Sequence, residues 1–184
     1  MADTITFNKC LECKKINKVS CCEGWLKFPL MIEDINTITS LGYQIQDFVI
    51  AGEYKLESMH DDEAWWKNSL IKIGKNFFKT NIKKNKNGDC IFLSDGHGCT
   101  LRDNRPLVCK IYPFWVDEKG EVVYEPGEEA DCLMGQSGIS VWEALKLVEE
   151  DNKTIQNYFS KIKKDCIENK DKHKKIILDI LKLN

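Results

Sequence analysis

The sequence predicts an α+β fold that is mostly helical, with a small β-hairpin and a cysteine-rich core. Apolar residues recur at helical spacing towards both ends of the chain, which is typical of amphipathic helices. Between these segments, Asn87-Gly88 separates two short runs and predicts a hairpin turn. The core is cysteine-rich because all of the nine cysteines except Cys166 lie between Cys10 and Cys132.

The first predicted helix follows Pro29. Glu33 and Asp34 suit its first turn, and Gly42 suits its C-terminal cap. Its apolar residues at helical spacing are Ile35, Ile38 and Leu41.

A second helix is predicted to begin at Asp61 or Asp62, with His60 at its start. Its apolar face consists of Trp66, Leu70, Ile73 and Phe77. We interpret these aromatic residues as core rather than as a binding site for a ligand.

The middle of the chain predicts short elements. The hairpin at Asn87-Gly88 has Cys90–Leu93 as its second strand. A compact turn or short helix is predicted between Pro106 and Pro113, and a short strand in the stretch EVVYEP.

The chain becomes helical from Ser140, which forms a capping-box pattern with Glu143. Three apolar stripes follow: Trp142, Leu145 and Val148; then Ile155, Tyr158, Phe159 and Ile162; then Ile176, Ile177, Ile180 and Leu181. We therefore expect a cysteine-cluster domain over residues 1–138 and a helical extension over 139–184, packed on the same domain.

Composition excludes several classes of protein. A length of 184 residues fits one domain, and a net charge of −2 argues against a general nucleic-acid binder. No apolar run is long enough to span a membrane, and the first residues do not have the pattern of a signal peptide. We therefore expect a cytoplasmic protein, in which disulfides are rare.

The cysteines form two sets of four. The stretch CLECKKINKVSCC contains Cys10, Cys13 and the adjacent pair Cys21 and Cys22. The later set consists of Cys90, Cys99, Cys109 and Cys132. Clustered thiols in a reducing compartment indicate metal binding or redox chemistry. About four thiolates complete the shell of a soft metal such as zinc, so eight suffice for two sites.

The adjacent pair limits how these sites can be built. In an extended chain Cys21 and Cys22 point to opposite faces, so one metal cannot easily bind both. Either they bind two neighbouring metals or only one of them is a ligand, and we favour the first arrangement. Two closed sites would clamp the N-terminal segment onto the hairpin and give a metal-pinned core.

Cations must offset the charge of such a cluster, because two divalent metals leave part of the charge of eight thiolates unbalanced. Arg102, Arg105 and Lys110 lie among the later cysteines. We predict that Arg105 donates to thiolates and orients them. An ordinary salt bridge is the alternative role for this arginine.

The remaining candidates have simpler interpretations. Cys166 lies on a helical stripe, where a cysteine is a small buried apolar residue. His97 lies between glycines in a loop, and His173 lies in a charged tail. The sequence contains no Ser/His/Asp order, P-loop or dinucleotide-binding glycine motif.

The stretch CIFLSDGHGCTLRDNRPLVCKIYPF resembles the YkgJ-like cysteine-cluster family, also called the CxxCxxCC family. The residues that carry this resemblance are Cys90, Phe92, Leu93, Cys99, Arg105, Pro106, Cys109, Tyr112, Pro113 and Cys132, with Gly135 and Gly138 after it. The N-terminal cluster departs from the family pattern, because seven residues separate Cys13 from Cys21. The resemblance covers roughly Cys10 to Gly138 and implies a site for zinc or iron.

Three functions are compatible with this resemblance. The first is a metal-binding domain in which zinc or iron has a mainly structural role. The second is an enzyme with an iron–sulfur cluster that catalyses redox chemistry or methyl transfer, since some relatives resemble flagellin lysine N-methylases. The third is a metal carrier or thiol redox sensor with exchangeable cysteines. A protein partner is not predicted by the sequence.

Overall fold

The computed structural model describes residues 22–23, 26–56, 64–94, 98–124 and 140–183, and it divides them into two compact units. Unit 1 contains the described residues of 1–26, 84–105 and 109–159, and unit 2 contains those of 27–83, 106–108 and 160–184. Helices occur together with small antiparallel sheets, which confirms the α+β class. Helix makes up 48% of the described chain, so the expectation of a mostly helical fold is not met.

The described helices are α1 (Ile32–Ser40), α2 (Ile45–Phe48), α3 (Ala64–Ser69), α4 (Leu107–Ile111), α5 (Val141–Leu147), α6 (Asn152–Glu168) and α7 (Lys170–Leu183), and a 3₁₀ helix covers Arg102–Asn104. The strands are β1 (Val49–Tyr54), β2 (Ile71–Ile73), β3 (Asn76–Ile82), β4 (Leu93–Ser94), β5 (Gly98–Cys99), β6 (Phe114–Val116) and β7 (Val122–Tyr124). None of these helices is long and apolar enough to cross a membrane.

Unit 2 contains an antiparallel sheet with the strand order β1-β3-β2. In its register Val49 lies opposite Ile82, and Ile71 lies opposite Phe78. Helix α7 packs against all three strands, and Ile177 contacts the apolar side chains of Ile71 and Phe78. The apolar face of α7 and the sheet therefore share one buried layer.

Unit 1 contains two short hairpins, β4–β5 and β6–β7. The ring of Trp115 on β6 meets the ring of Phe159 edge-on, with centroids 4.9 Å apart. The Gln156 side chain donates to the carbonyl of Gly120, in the turn between β6 and β7, at 2.7 Å. These two contacts hold the beginning of α6 against the second hairpin.

The first predicted helix is confirmed. It covers Ile32–Ser40 with Glu33 and Asp34 in its first turn. Gly42 follows with a φ of +98°, and its N–H donates to the carbonyl of Thr39 at 2.9 Å. A glycine at this position ends the helix because the left-handed conformation costs it no steric energy.

The second predicted helix is wrong beyond Ser69. Among the described residues of this predicted helix, Ala64–Ser69 is helical, and the chain then forms β2, a turn at Gly74 with a φ of +61°, and β3. The helical spacing of the apolar residues is coincidental, because Leu70 lies between α3 and β2, Ile73 on β2 and Phe77 on β3. The predicted caps at Asp61 and Asp62, and His60, lie outside the described residues.

The predicted hairpin is confirmed at its turn and wrong in its second strand. Asn85 Oδ1 accepts from the N–H groups of Asn87 and Asp89, and Lys84 pairs with Cys90 in a single bridge. Residues 90–92 then turn instead of continuing the ladder, and the N–H of Leu93 donates to the carbonyl of Cys90 at 2.9 Å. The strand begins only at Leu93 and pairs with β5.

The remaining short elements follow the sequence more closely. The short helix between the two prolines is α4, and the strand in EVVYEP is β7. The capping box is confirmed, because Ser140 Oγ accepts from the N–H of Glu143 and the Glu143 carboxylate accepts from the N–H of Ser140. In the predicted stripes, Leu145 is buried, whereas Trp142 is 64% exposed and Leu181 is also exposed.

A buried histidine, His173, joins α7 to the sheet and to α6. Its Nδ1 lies 2.8 Å from the Thr80 hydroxyl, and its Nε2 lies 2.6 Å from Asp165 Oδ2. The Thr80 hydroxyl donates its only proton to the carbonyl of Leu30, at 2.9 Å. The same oxygen must therefore accept a hydrogen bond from Nδ1–H of the imidazole.

The Asp165 carboxylate completes this network. Its Oδ1 accepts from the N–H of Ile32 at 3.0 Å and from the Asn169 amide at 2.8 Å. The Asp165 side chain therefore links the first turn of α1, the Asn169 amide and the His173 ring. The sequence placed His173 in a charged tail, but this residue lies one helical turn before Ile177 and shares its buried face.

Asp34 is a second buried carboxylate in unit 2. Its two oxygens accept from the N–H of Met31 at 2.8 Å and from the N–H of Leu107 at 3.0 Å. Burial raises the pKa of this carboxyl from the ordinary 3.8 to about 7, against the opposing effect of these two donors. A raised pKa means that the folded state favours the protonated form.

We expect Asp34→Asn to change how stability depends on pH. The protonated Asp34 stabilises the fold fully below about pH 4, and this contribution is lost as the pH rises towards 7. The wild type should therefore lose stability relative to Asp34→Asn between pH 4 and 7, by at most about 1.4 kcal/mol per pH unit. Urea unfolding at several pH values measures this, with the exposed Asp47→Asn as the control, and parallel pH profiles for wild type and Asp34→Asn would contradict it.

Candidate metal centre

Half of the predicted cysteine ligands lie in the described part of the chain. Cys22, Cys90, Cys99 and Cys109 are described and belong to unit 1, and none of them is in a disulfide. The other four predicted ligands, Cys10, Cys13, Cys21 and Cys132, lie outside the described residues, as does His97.

Cys90 lies at the start of a turn that directs backbone donors towards its sulfur. Its own N–H donates to the carbonyl of Cys22 at 2.7 Å, which places these two cysteines side by side. The N–H of Phe92, two residues further along, donates to the Cys90 sulfur. Since the turn places this N–H beside the sulfur, the thiolate form is stabilised without a side-chain donor.

Cys99 has a similar environment. It ends β5, and the N–H groups of Leu101 and Arg102 donate to its sulfur as the chain enters the 3₁₀ helix. Arg102 has a φ of +50°, an uncommon conformation for a residue other than glycine.

The turns that hold Cys90 and Cys99 are connected to each other. Leu93 and Cys99 are partners across the β4–β5 pair. The N–H and the hydroxyl of Thr100 both donate to the carbonyl of Phe92, at 2.8 and 3.1 Å. The backbone therefore fixes the relative positions of the two cysteines.

The charges of Cys22, Cys90 and Cys99 affect one another. The pKa of the Cys90 thiol is raised to about 12, chiefly by burial; the neighbouring Cys22 and Cys99 contribute to this rise, while the Phe92 N–H and Lys84 oppose it. Burial also raises the pKa of Cys99, again with a contribution from Cys22. Thiolates at these three positions would repel one another, and a soft metal ion is the kind of positive charge that would offset this repulsion.

Arg105 lies close enough to lower the pKa of Cys99, although burial dominates the net shift. The arginine follows the 3₁₀ helix, where its N–H donates to the carbonyl of Arg102 at 3.1 Å. It also acts to lower the pKa of Glu150. The charge of Arg105 therefore acts on a thiol and on a carboxylate, and its role as a donor that orients thiolates stays a prediction.

Cys109 lies on α4 and is half-buried. Within the described ranges, no group of three or more Cys, His, Asp or Glu side chains is arranged to hold a metal ion. The described cysteines therefore do not form a closed site among themselves. Their thiol chemistry and backbone donors nevertheless fit a thiolate-bound metal such as zinc or iron.

The sequence did not predict that Lys84 lies opposite Cys90 and that its charge acts on the thiol. This lysine belongs to a basic run, which usually forms a solvated surface. The turn at Asn87-Gly88 could have predicted this position of Lys84, because the turn pairs Lys84 with Cys90. Once the pairing of the two segments that flank the turn is known, the sequence alone shows that a lysine lies opposite a cysteine.

The structure also brings together Thr80, His173 and Asp165, a hydroxyl–imidazole–carboxylate arrangement that the sequence did not indicate. Thr80 is fully buried, and its proton is donated to the carbonyl of Leu30. The imidazole does not accept the hydroxyl proton, so it does not activate a nucleophile. This arrangement holds the fold together.

The comparison with protein families identifies the chain. Residues 9–132 match the model of the CxxCxxCC family, which is described as "Putative zinc- or iron-chelating domain". This match covers well over half of the 184 residues, so the chain belongs to that family. No curated protein and no solved structure matches the chain.

We expect Arg105→Ala to raise the pKa of the Cys99 thiol, because a neighbouring positive charge is removed. In metal-free, reduced protein, Cys99 should then react more slowly with iodoacetamide at pH 8, by about threefold. Peptide mass spectrometry measures the rate at Cys99 itself.

Arg102→Ala is the matched control, because it removes a neighbouring guanidinium but keeps the backbone N–H that donates to Cys99. Equal alkylation rates in the two variants would show that Arg105 has no specific effect on this thiol.

Proposed function

We propose that this protein binds zinc or iron through clustered cysteine thiolates and that the metal has a mainly structural role. The observation that carries the proposal is the grouping of Cys22, Cys90 and Cys99, whose sulfurs lie within electrostatic reach of one another. Buried and half-buried thiols would repel one another as thiolates, and a metal ion would offset that repulsion. The family of the chain supports zinc or iron as the ion.

The ligand set that we propose consists of two groups of four thiolates. Its members are Cys10, Cys13, Cys21, Cys22, Cys90, Cys99, Cys109 and Cys132. Four thiolates close the coordination shell and leave no open position for a substrate, which favours a structural role over hydrolysis. Arg105 and Lys84 supply positive charge next to the later group.

The backbone donors support thiolate binding independently of the charges. The N–H groups of Phe92 and Leu101 each lie two residues after a cysteine and donate to its sulfur. Such donors stabilise a thiolate and orient its lone pairs, as other hydrogen bonds do around metal ligands. A cysteine that served only as a small apolar residue would not require them.

A cytoplasmic location and the boundary at residue 138 are parts of the same proposal. Disulfides are rare in a reducing compartment, so clustered cysteines there remain available as metal ligands. The metal-binding domain would then comprise residues 1–138, with residues 139–184 as a helical extension. Nucleic acid is not an expected partner because the net charge is −2.

We expect protein purified without oxygen to contain two zinc or iron ions per chain. Elemental analysis and an absorption spectrum of the same sample test this. Colourless zinc supports the structural role. Iron with inorganic sulfide and broad visible absorption would instead favour an iron–sulfur enzyme, and rapid transfer of the ions to a chelator would favour a carrier. If the sample contains neither zinc nor iron at a stoichiometric level, the proposal is overturned.

We expect Cys99→Ser and Cys109→Ser each to lower the metal content by about one ion per chain and to lower the melting temperature, because binding and folding are coupled in thiolate sites. Cys166→Ser is the control, since Cys166 belongs to unit 2 and lies outside the proposed ligand set. Full metal content and normal melting in both ligand variants would contradict the assignment of these two residues.

A further inference from the structure

A lysine and a cysteine meet in the interior of unit 2. Lys79 Nζ donates to Cys166 Sγ over 3.0 Å, and the two residues are only 2% and 4% exposed. The ammonium group also lies 3.6 Å from the ring centroid of Trp66 and donates to the hydroxyl of Ser69. The amine and the sulfur are therefore held together in a site from which bulk water is excluded.

Strand geometry explains how a lysine reaches this position. Lys79 is the fourth residue of β3, between Phe78 and Thr80. Since successive side chains of a strand point to opposite faces, Lys79 points away from the face on which Phe78 and Thr80 meet α7. The Ser69 hydroxyl donates to the carbonyl of Trp66 at 2.6 Å, so its oxygen is oriented to accept from Lys79.

Cys166 has no cysteine neighbour in its unit. It is the only cysteine among the residues assigned to unit 2, and its position on α6 places its sulfur against the lysine. An oxidised cysteine normally reacts with a second thiol to form a disulfide. Within unit 2 that route does not exist, whereas an amine is already in contact with the sulfur.

We propose that hydrogen peroxide joins Cys166 and Lys79 by a covalent sulfur–nitrogen bond that thiol reductants reverse. The carrying observation is the 3.0 Å contact between the two buried reactive atoms. The bond would tie β3 to α6 inside unit 2. The proposal concerns a different cysteine from the proposed metal ligands and does not depend on them.

The reaction has two steps. In the first, the Cys166 thiolate attacks one oxygen of hydrogen peroxide, the O–O bond breaks and hydroxide leaves, which gives a sulfenic acid. In the second, the Lys79 ammonium gives one proton to that hydroxide and its nitrogen attacks the sulfur; the S–N bond forms, the S–O bond breaks, and the departing hydroxide takes a second proton from nitrogen and leaves as water. Overall, thiol, amine and peroxide give the sulfenamide and two waters. Two molecules of an added thiol reduce the S–N bond and form one disulfide.

The geometry of the site favours the second step. Lys79 Nζ already lies 3.0 Å from Cys166 Sγ, so the two atoms can bond without a large movement of either side chain. Burial excludes larger thiols from the sulfur, while peroxide is about the size of a water molecule.

The test is peptide mapping of the purified full-length protein. Accessible thiols are first alkylated without denaturant, and the protein is then treated with hydrogen peroxide and digested with trypsin. We expect the peptide of residues 165–170 to be joined to that of residues 76–83, because the modified Lys79 is no longer cleaved. The joined species should be lighter by two hydrogen atoms than the separate peptides, and dithiothreitol should release them.

Lys79→Met removes the amine and keeps an unbranched side chain, so the joined species should disappear. Lys161→Met removes an exposed lysine from α6, the helix that contains Cys166, and should leave the joined species unchanged. The proposal is overturned if Cys166 of the peroxide-treated wild type is recovered only as a free thiol or only as sulfinic acid. Persistence of the joined species in Lys79→Met would also overturn it. The wild-type result stands even if a variant fails to fold.

Discussion

The carboxylate of Asp165 is the group on which the described interior of unit 2 depends. It accepts the first N–H of α1 from Ile32, the amide of Asn169 and the imidazole of His173, and the imidazole in turn donates to Thr80 on β3. A buried charge with this many donors is tolerable, but loss of one donor leaves the charge uncompensated. The carboxylate thus fixes the first turns of α1 and α7 relative to the sheet.

The same constraint acts on sulfur in unit 1. Cys90, which is buried, and Cys99, which is half-buried, accept hydrogen bonds from the backbone N–H groups of Phe92 and Leu101, in turns that the β4–β5 pair connects. These donors lower the cost of a thiolate, and in the proposed site a metal ion would supply the remaining charge. Cys166 instead accepts a hydrogen bond from a lysine, so its surroundings differ from those of Cys90 and Cys99.

Local signals in the sequence predicted local structure well. The glycine after α1, the capping box at Ser140 and the turn at Asn87-Gly88 each depend on the conformation of only a few adjacent residues. Apolar spacing was less reliable, because it predicted one helix through Phe77 where a helix, a turn and two strands occur. Short elements contain too few residues to distinguish a helical period from a strand period.

The sequence by itself determined the family, the α+β class and the identity of the candidate ligands, because cysteine spacing and composition require no knowledge of distant contacts. Only the tertiary structure decided which cysteine turns lie together, and that His173 and Lys79 are buried rather than solvated. The reason is that charged side chains enter a protein interior only when partners from other elements meet them. Asp165, Thr80 and Cys166 are such partners, and each is distant in the chain from at least one group that it contacts.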